Sequence, residues 1–285
     1  MSNVMKNPIV SLIITTKNEE KTIESLLKSL QRQTYKDIEI IVVDNNSSDR
    51  TKQLAKKYTP HVFDKGPERS AQRNFGAAKA KGVYLMFLDA DMVLMPSVVQ
   101  ECVALMLKSN IAGIIIPEKS IGEGKWAKVK AFERSFYIGD DNIEAARFYD
   151  KDVFGKTGGF DEEITGPEDW ELSERMKKAY GLGRIDVYIL HNEGNLSLQT
   201  LMRKKYYYGK KAAVYLKKAR HSTISPQTVF FLRSCFYRHW QKLFAHPLLT
   251  IGMIWMLSCE TLAGVCGVVY GKFIHGIIES DKKMK

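Results

Sequence analysis

Between Ile9 and Ile116 the chain alternates short apolar runs with stretches of helical spacing. Ile9–Thr15 (IVSLIIT), Ile38–Val43 (IEIIVV), Val83–Leu88 and Ile111–Ile116 predict strands, and His61–Phe63 a briefer one. Between them, Glu20–Arg32, Thr51–Lys57, Ser70–Ala80 and Pro96–Lys108 predict helices. In the first helix, Ile23, Leu26, Leu27 and Leu30 fall on one face. Strands and helices alternating at these lengths imply βαβ units, and so an α/β fold with a mostly parallel sheet covered by helices on both faces. Such sheets bind ligands at the carboxyl ends of their strands. Asp44 and Asp89 stand at two of those ends.

The stretch LMFLDADMVL, residues 85–94, sharpens the point. A buried strand ends in two carboxylates, Asp89 and Asp91, and then the apolar run resumes. Carboxylates at i and i+2 on a turn present oxygens to a hard divalent cation, with phosphate oxygens and water completing its shell. The same pair also fits a solvated turn. Likewise Asp44-Asn45-Asn46-Ser47 fits turn chemistry, and Glu168-Asp169 fits an ordinary acidic helix start.

Beyond Pro117 the pattern loosens. Trp126–Tyr137 and Glu168–Ala179 predict helices, Arg184–Leu190 a strand, and Gly155–Asp161 a loop. Leu196–Lys218 predicts a basic helix interrupted at Gly209, followed by a linker at Ser222–Pro226 and an apolar tail. ERSFYIGDDNIEAARF (133–148) fits acceptor or sugar recognition, or a solvated loop. The formal charge of +11 sits at one end: residues 194–285 carry 15 Lys+Arg against 3 Asp+Glu. That imbalance calls for an anionic partner such as a membrane surface, a diphosphate or nucleic acid. The 4 cysteines form no CxxC pair or disulfide framework, which fits a reducing compartment. The apolar run at Ile9–Ile14 is too short for a signal peptide.

Four motifs resemble family 2 glycosyltransferases: TTKNEE (15–20), VVDNNSSD (42–49), RSAQRNFGAAKAKGVYLMFLDAD (69–91) and GGFDEEITGPEDWELSERM (158–176). They occur in the family's order, and the resemblance covers about residues 8–220. It implies a GT-A fold with a nucleotide-binding and an acceptor-binding half. Thr15, Thr16, Glu19 and Asp44 would line the base and ribose pocket, with Arg73 and Asn74 near the nucleotide. Asp89 would contact ribose or metal, and Asp91 would be the main ligand of Mn²⁺ or Mg²⁺. Asp169 would be the general base, because a hydroxyl acceptor must lose its proton as the C–O bond forms. Glu168 would accompany it, Trp170 would support a sugar ring or only pack, and Gly159 would belong to a loop over the donor sugar. His191 would complete the metal site or be structural, and Arg203 would close over the diphosphate. The family's QxxRW motif has no full counterpart: Gln199 and Arg203 stand at a different spacing, without the tryptophan.

The expected organisation is a catalytic domain at 1–195, a basic helix at 196–222 and an apolar membrane-associating helical region at 223–285. Leu248–Tyr270 is long enough to span a bilayer, but Glu260 would lie near its middle. Two short helices in one leaflet are therefore expected ahead of a single span, with a buried hairpin or an oligomer interface as the alternative. The expected activity is metal-dependent, inverting transfer of a sugar from a UDP- or GDP-linked donor to a hydroxyl. The acceptor would be a polyprenyl-linked glycan at an anionic, cytoplasmic membrane face. A polyprenyl-phosphate monosaccharide synthase is the near alternative. A non-catalytic membrane or nucleic-acid binder using the basic tail is the distant one, disfavoured because the front of the chain is close to neutral.

Overall fold

The computed structural model describes residues 7–141, 143–218, 230 and 233–283. They form two compact units. The first comprises Met1–Lys119, Glu144–Glu162 and Glu168–Asn192; the second comprises Ser120–Ile143, Glu163–Pro167 and Glu193–Lys285. The second unit thus draws on two earlier segments that a linear division assigns to the front.

In the first unit a seven-stranded sheet runs in the order β3-β2-β1-β4-β8-β6-β9. Its strands are β1 (Val10–Thr16), β2 (Ile38–Asp44), β3 (Val62–Asp64), β4 (Tyr84–Asp89), β6 (Gly113–Ile115), β8 (Ala146–Asp150) and β9 (Leu182–Arg184). The pairs β1–β2, β1–β4, β2–β3 and β6–β9 are parallel, while β8 is antiparallel to both neighbours. Side chains alternate across the sheet with period two. Leu12, Ile14, Met86 and Leu88 face a layer with α1 (Ile23–Gln31), α2 (Thr51–Ala55) and α4 (Val98–Lys108). Ile13, Val43, Leu85 and Phe87 face the other layer, with α3 (Arg69–Lys79), α6 (Lys151–Lys156) and α7 (Glu168–Tyr180). The register sets Thr15 beside Asp89 and Thr16 beside Asp44, so three strand ends present polar groups on one edge.

Three expectations for this unit need correction. Arg184–Leu190 is not one strand: the chain leaves the main sheet after β9 and re-forms as β10 (Ile189–Asn195), antiparallel to β5 (Met92–Leu94). Hydrophobic periodicity carries no sign of such a change of sheet. Gly155 lies in α6 and not in a loop, because Asp150 caps that helix by accepting from the Val153 N–H at 2.9 Å. The end of the 133–148 segment is β8, a buried strand in the middle of the sheet.

The second unit is helical: α5 (Gly124–Arg134), α8 (Leu198–Lys218), α9 (Ser234–Arg238), α10 (Trp240–Ala245) and α11 (Pro247–Lys283). Its core gathers Val129, Phe132, Phe136, Leu201, Phe236, Met253, Met256 and Leu257. Gly209 does not interrupt α8, contrary to expectation. A Cβ there would collide with the Gly264 carbonyl of α11, so the glycine serves a close helix crossing. The apolar stretch Leu248–Tyr270 likewise lies within one continuous helix, α11, and not two short ones. Glu260 does not break it, because its side chain is buried against Lys130 of α5. Pro247–Gly271 is long and apolar enough to cross a membrane. The linker expected at Ser222–Pro226 lies outside the described residues.

Candidate active site

All of the site lies in the first unit, at the carboxyl ends of β1, β2 and β4. Its centre is Arg73 on α3, which is fully buried. Nη2 donates to Asp89 Oδ1 at 3.1 Å, and Nη1 to Asp169 Oδ1 at 2.5 Å and Glu168 Oε1 at 3.5 Å. The guanidinium also stands over the Phe160 ring, 5.1 Å from its centroid. Arg73 therefore joins the strand-end carboxylate of β4 to both carboxylates that open α7. Its guanidinium is enclosed by these carboxylates, at the strand-end edge where the resemblance expects the nucleotide.

Charge alternates outward from there. Asp89 Oδ1 accepts from Thr15 Oγ1 at 3.2 Å, and Oδ2 lies 3.6 Å from Arg147 of β8 and 3.8 Å from Arg69. Arg147 in turn pairs with Glu118. Glu118 Oε2 lies 3.0 Å from His191 Nδ1, and His191 Nε2 lies 3.2 Å from Asp91 Oδ2. Arg69 also reaches Glu168 Oε1 at 3.9 Å. Burial opposes ionisation of Asp89, but Arg73, Arg69 and Arg147 outweigh it and hold the carboxyl well below the usual range. Glu168 goes the other way: burial first, and then the neighbouring Asp169, push its pKa up against the pull of Arg73 and Arg69. Burial also raises Glu19, whose Oε2 accepts from Thr22 Oγ1 at 2.7 Å; Asp91 and Asp89 add repulsion.

The remaining expected residues fall as follows. Asp44 is fully buried and spends both oxygens on Ser47, at 2.6 Å to its N–H and 2.5 Å to its hydroxyl. That is turn chemistry, and it shapes the loop after β2. Thr16 Oγ1 is buried without a hydrogen-bond partner among the described residues. Gly159 has φ +66°, and Asn74 clamps the next residue through the Phe160 carbonyl (2.8 Å) and N–H (2.9 Å). Phe160 itself is in the core, packed on Phe87 and Phe154, so only its backbone lines the loop. Trp170 is half-buried on the first turn of α7. Arg203 is exposed on α8 of the second unit.

Among the described residues, no three His, Cys, Asp or Glu side chains converge as a ready metal cage. Asp91 nevertheless fits a cation that brings its own phosphate and water ligands: Oδ1 is buried and accepts no hydrogen bond from the described residues, and an imidazole stands beside Oδ2. Sequence reasoning missed Arg69 and Glu118, and it gave Arg147 no role beyond its place in the 133–148 segment. Arg69 and Arg73, four apart on a helix, were the legible clue. Glu118 leaves no sequence signal, since only the pairing of β7 (Glu118–Glu123) beside β10 brings it to His191.

The fold is that of the GT-A glycosyltransferases. A mannosyltransferase from Pyrobaculum calidifontis, solved with GDP-Man and Mn²⁺, superposes with a TM-score of 0.57 at 17% identity, covering 91% of this chain and 74% of that one. S. aureus TarS 1-349 in complex with UDP-GlcNAc gives 0.53 at 16% identity, over 87% and 81%. The sequence profile of "Glycosyl transferase family 2" matches residues 11–162, more than half of the chain. The chain belongs to that family and is a glycosyltransferase. A Campylobacter jejuni GalNAc(5)-diNAcBac-PP-undecaprenol beta-1,3-glucosyltransferase is 28% identical over 214 residues, 67% of this chain and 68% of that relative. Two Bacillus subtilis relatives are matched over only 26% and 27% of their own lengths.

Proposed function

We propose that this glycosyltransferase moves a sugar, with inversion, from a UDP- or GDP-linked donor to a hydroxyl of a polyprenyl-diphosphate-linked glycan at the cytoplasmic face of a membrane. The observation that carries the chemistry is the Arg73 bridge: one buried cation holds the strand-end acid Asp89 and the helix-start acid Asp169 in fixed relation. The similarity to an undecaprenol-linked glucosyltransferase supports the acceptor class. The solved relatives carrying GDP-Man and UDP-GlcNAc support the donor class.

Thr15, Thr16, Glu19 and the turn built by Asp44 form the strand-end edge on which the nucleoside sits. Asp91 and His191 would hold a divalent cation, Mn²⁺ or Mg²⁺, whose chemistry is to neutralise charge on the departing diphosphate. Asp89, fixed by three arginines, contacts the ribose beside them. Asp169 is 26% exposed while its Oδ1 is tied to Arg73, so its open side can accept the acceptor's hydroxyl proton. Attack from that side, opposite the nucleotide, inverts the anomeric carbon. Arg69, 39% exposed between Asp89 and Glu168, is the cation best placed to meet substrate phosphate. Trp170 flanks the base on the same turn of α7 and supports a sugar ring.

The test is a panel of UDP- and GDP-sugars with Mg²⁺ or Mn²⁺, with polyprenyl-diphosphate-linked and soluble acceptors, following nucleotide diphosphate release. Release that needs a lipid-linked hydroxyl acceptor supports the reading. Efficient transfer onto polyprenyl phosphate, undiminished by Asp169→Asn, would replace it with a polyprenyl-phosphate sugar synthase.

A further inference from the structure

Helix α11 has its polarity turned inside out. The residues it buries against the second unit include Met253, Met256, Glu260, Ala263, Gly267 and Gly271, spaced three or four apart. That stripe contains the only ionisable acid of the apolar stretch, Glu260, which is 4% exposed and lies 3.4 Å from Lys130 Nζ. The opposite stripe is apolar and bare: Leu248 is 83% exposed, Ile251 66%, Trp255 61%, Leu262 63%, Val265 54% and Val269 63%. A surface helix in water turns its apolar stripe inward and its charge outward. This one does the reverse over about 30 Å, at 1.5 Å per residue. So large an exposed apolar face marks an interaction surface.

What covers it follows from its neighbours. Gly252 packs on Val129 of α5, while Gly267 and Gly271 meet the α8 backbone at Tyr206 and Lys210, so charged helices flank α11 along its length. Arg203 and Lys204 are exposed on α8, and Lys125 and Lys128 on α5. A transbilayer α11 would drag those cations into hydrocarbon, at about 2.5–3.5 kcal/mol for each one near the centre. Lying in the plane avoids this: only the bare stripe enters the lipid, and the cations stay in water. Just before α11, Tyr237, Trp240 and Phe244 are exposed beside Arg238 and Lys242, the mixture that sits at headgroup level. The excess of cations in residues 194–285 selects an anionic leaflet over a second copy of an equally basic surface.

We propose that the second unit seats on one anionic leaflet through the outward stripe of α11, with the helix in the membrane plane and not across it. The proposal rests on the second unit alone and is independent of the donor and acceptor chemistry above. It is tested with the full chain, carrying a small epitope at each terminus, on phosphatidylcholine vesicles with and without phosphatidylglycerol. The expected result is flotation with the anionic vesicles, about tenfold or more weaker on neutral ones. Both epitopes should remain open to protease added outside. Ile251→Glu with Leu262→Glu should weaken flotation more than about tenfold, with the melting temperature held and transfer to a soluble acceptor unchanged. An outer epitope at one end with a protected one at the other would show a span and overturn the proposal. So would flotation that survives the double substitution, or a stable dimer that the substitution dissolves and that never binds vesicles.

Discussion

Each unit of the protein buries a cluster of charges, and the two are built to opposite ends. In the first unit Arg73 is sealed, but its carboxylates are graded toward water: Glu168 is 3% exposed, Asp89 14%, Asp169 26%. In the second, Lys130 lies 2.6 Å from Glu133 and 3.4 Å from Glu260, with Arg233 3.4 Å from Glu133. Both of those glutamates are at most 4% exposed. Burial opposes ionisation of Glu133, but Lys130 and Arg233 prevail and hold it at about 2. The first cluster keeps one side of its acids available for chemistry. The second satisfies its acids internally, which is what lets an apolar helix carry a glutamate. A buried charge cluster is therefore not by itself an active site; the exposed flank is what separates the proposed site from the cluster in the second unit.

Several changes would break or sharpen that contrast. The largest effect belongs to Asp169→Asn, which should lower transfer about 10²–10⁴-fold while nucleotide-sugar binding, measured by calorimetry, stays close to wild type. Next, Lys130→Met takes a buried cation from both Glu260 and Glu133, leaving Glu133 to Arg233 and Tyr137, and should cost about 3–5 kcal/mol in denaturant unfolding. Adding Glu260→Met should recover much of that loss in the second unit, because an apolar pair suits the site. Asn74→Ala removes both clamps on Phe160 and should cost about 1–3 kcal/mol, with a raised KM for the donor if the loop lines its sugar.

The smallest effect is in pH. Asp89 titrates lower in the folded chain than in the unfolded one, so its stabilisation is present above the unfolded carboxyl value, about 3.9, and is lost as pH falls through the folded value. Glu168 is raised, so its contribution is present below its unfolded value and is lost as pH rises through the folded one. Thermal melts from pH 3 upward should therefore show a shallower acid limb for Asp89→Asn. Glu168→Gln should instead remove the loss on the higher-pH side. Matching limbs for both variants would break the opposition.

Much of the first unit was legible because its signals are local. Period two in IVSLIIT and IEIIVV and period 3.6 in α1 come from how each backbone points its side chains, and a strand end needs only its own residues to place Asp89. What was missed is pairwise and distant. β8 was hidden because a short strand joined antiparallel into an otherwise βαβ pattern has no distinctive period. Glu118 was hidden because its partner is 73 residues away. Gly209 read as a break because glycine is a poor helix former, whereas here it admits the α11 backbone.

The sequence by itself determined the α/β class, the strand-end acids, the acidic start of α7 and the basic, apolar character of the tail. These follow from composition and spacing along one chain. Only the tertiary structure decided that Arg73 is held among three acids, that Asp44 bonds Ser47 in a turn, and that Glu260 points inward while an apolar stripe points out. Each of those outcomes depends on which partner arrives from elsewhere to meet a charge, because a buried ionised group is tolerated only when an opposite charge is brought against it.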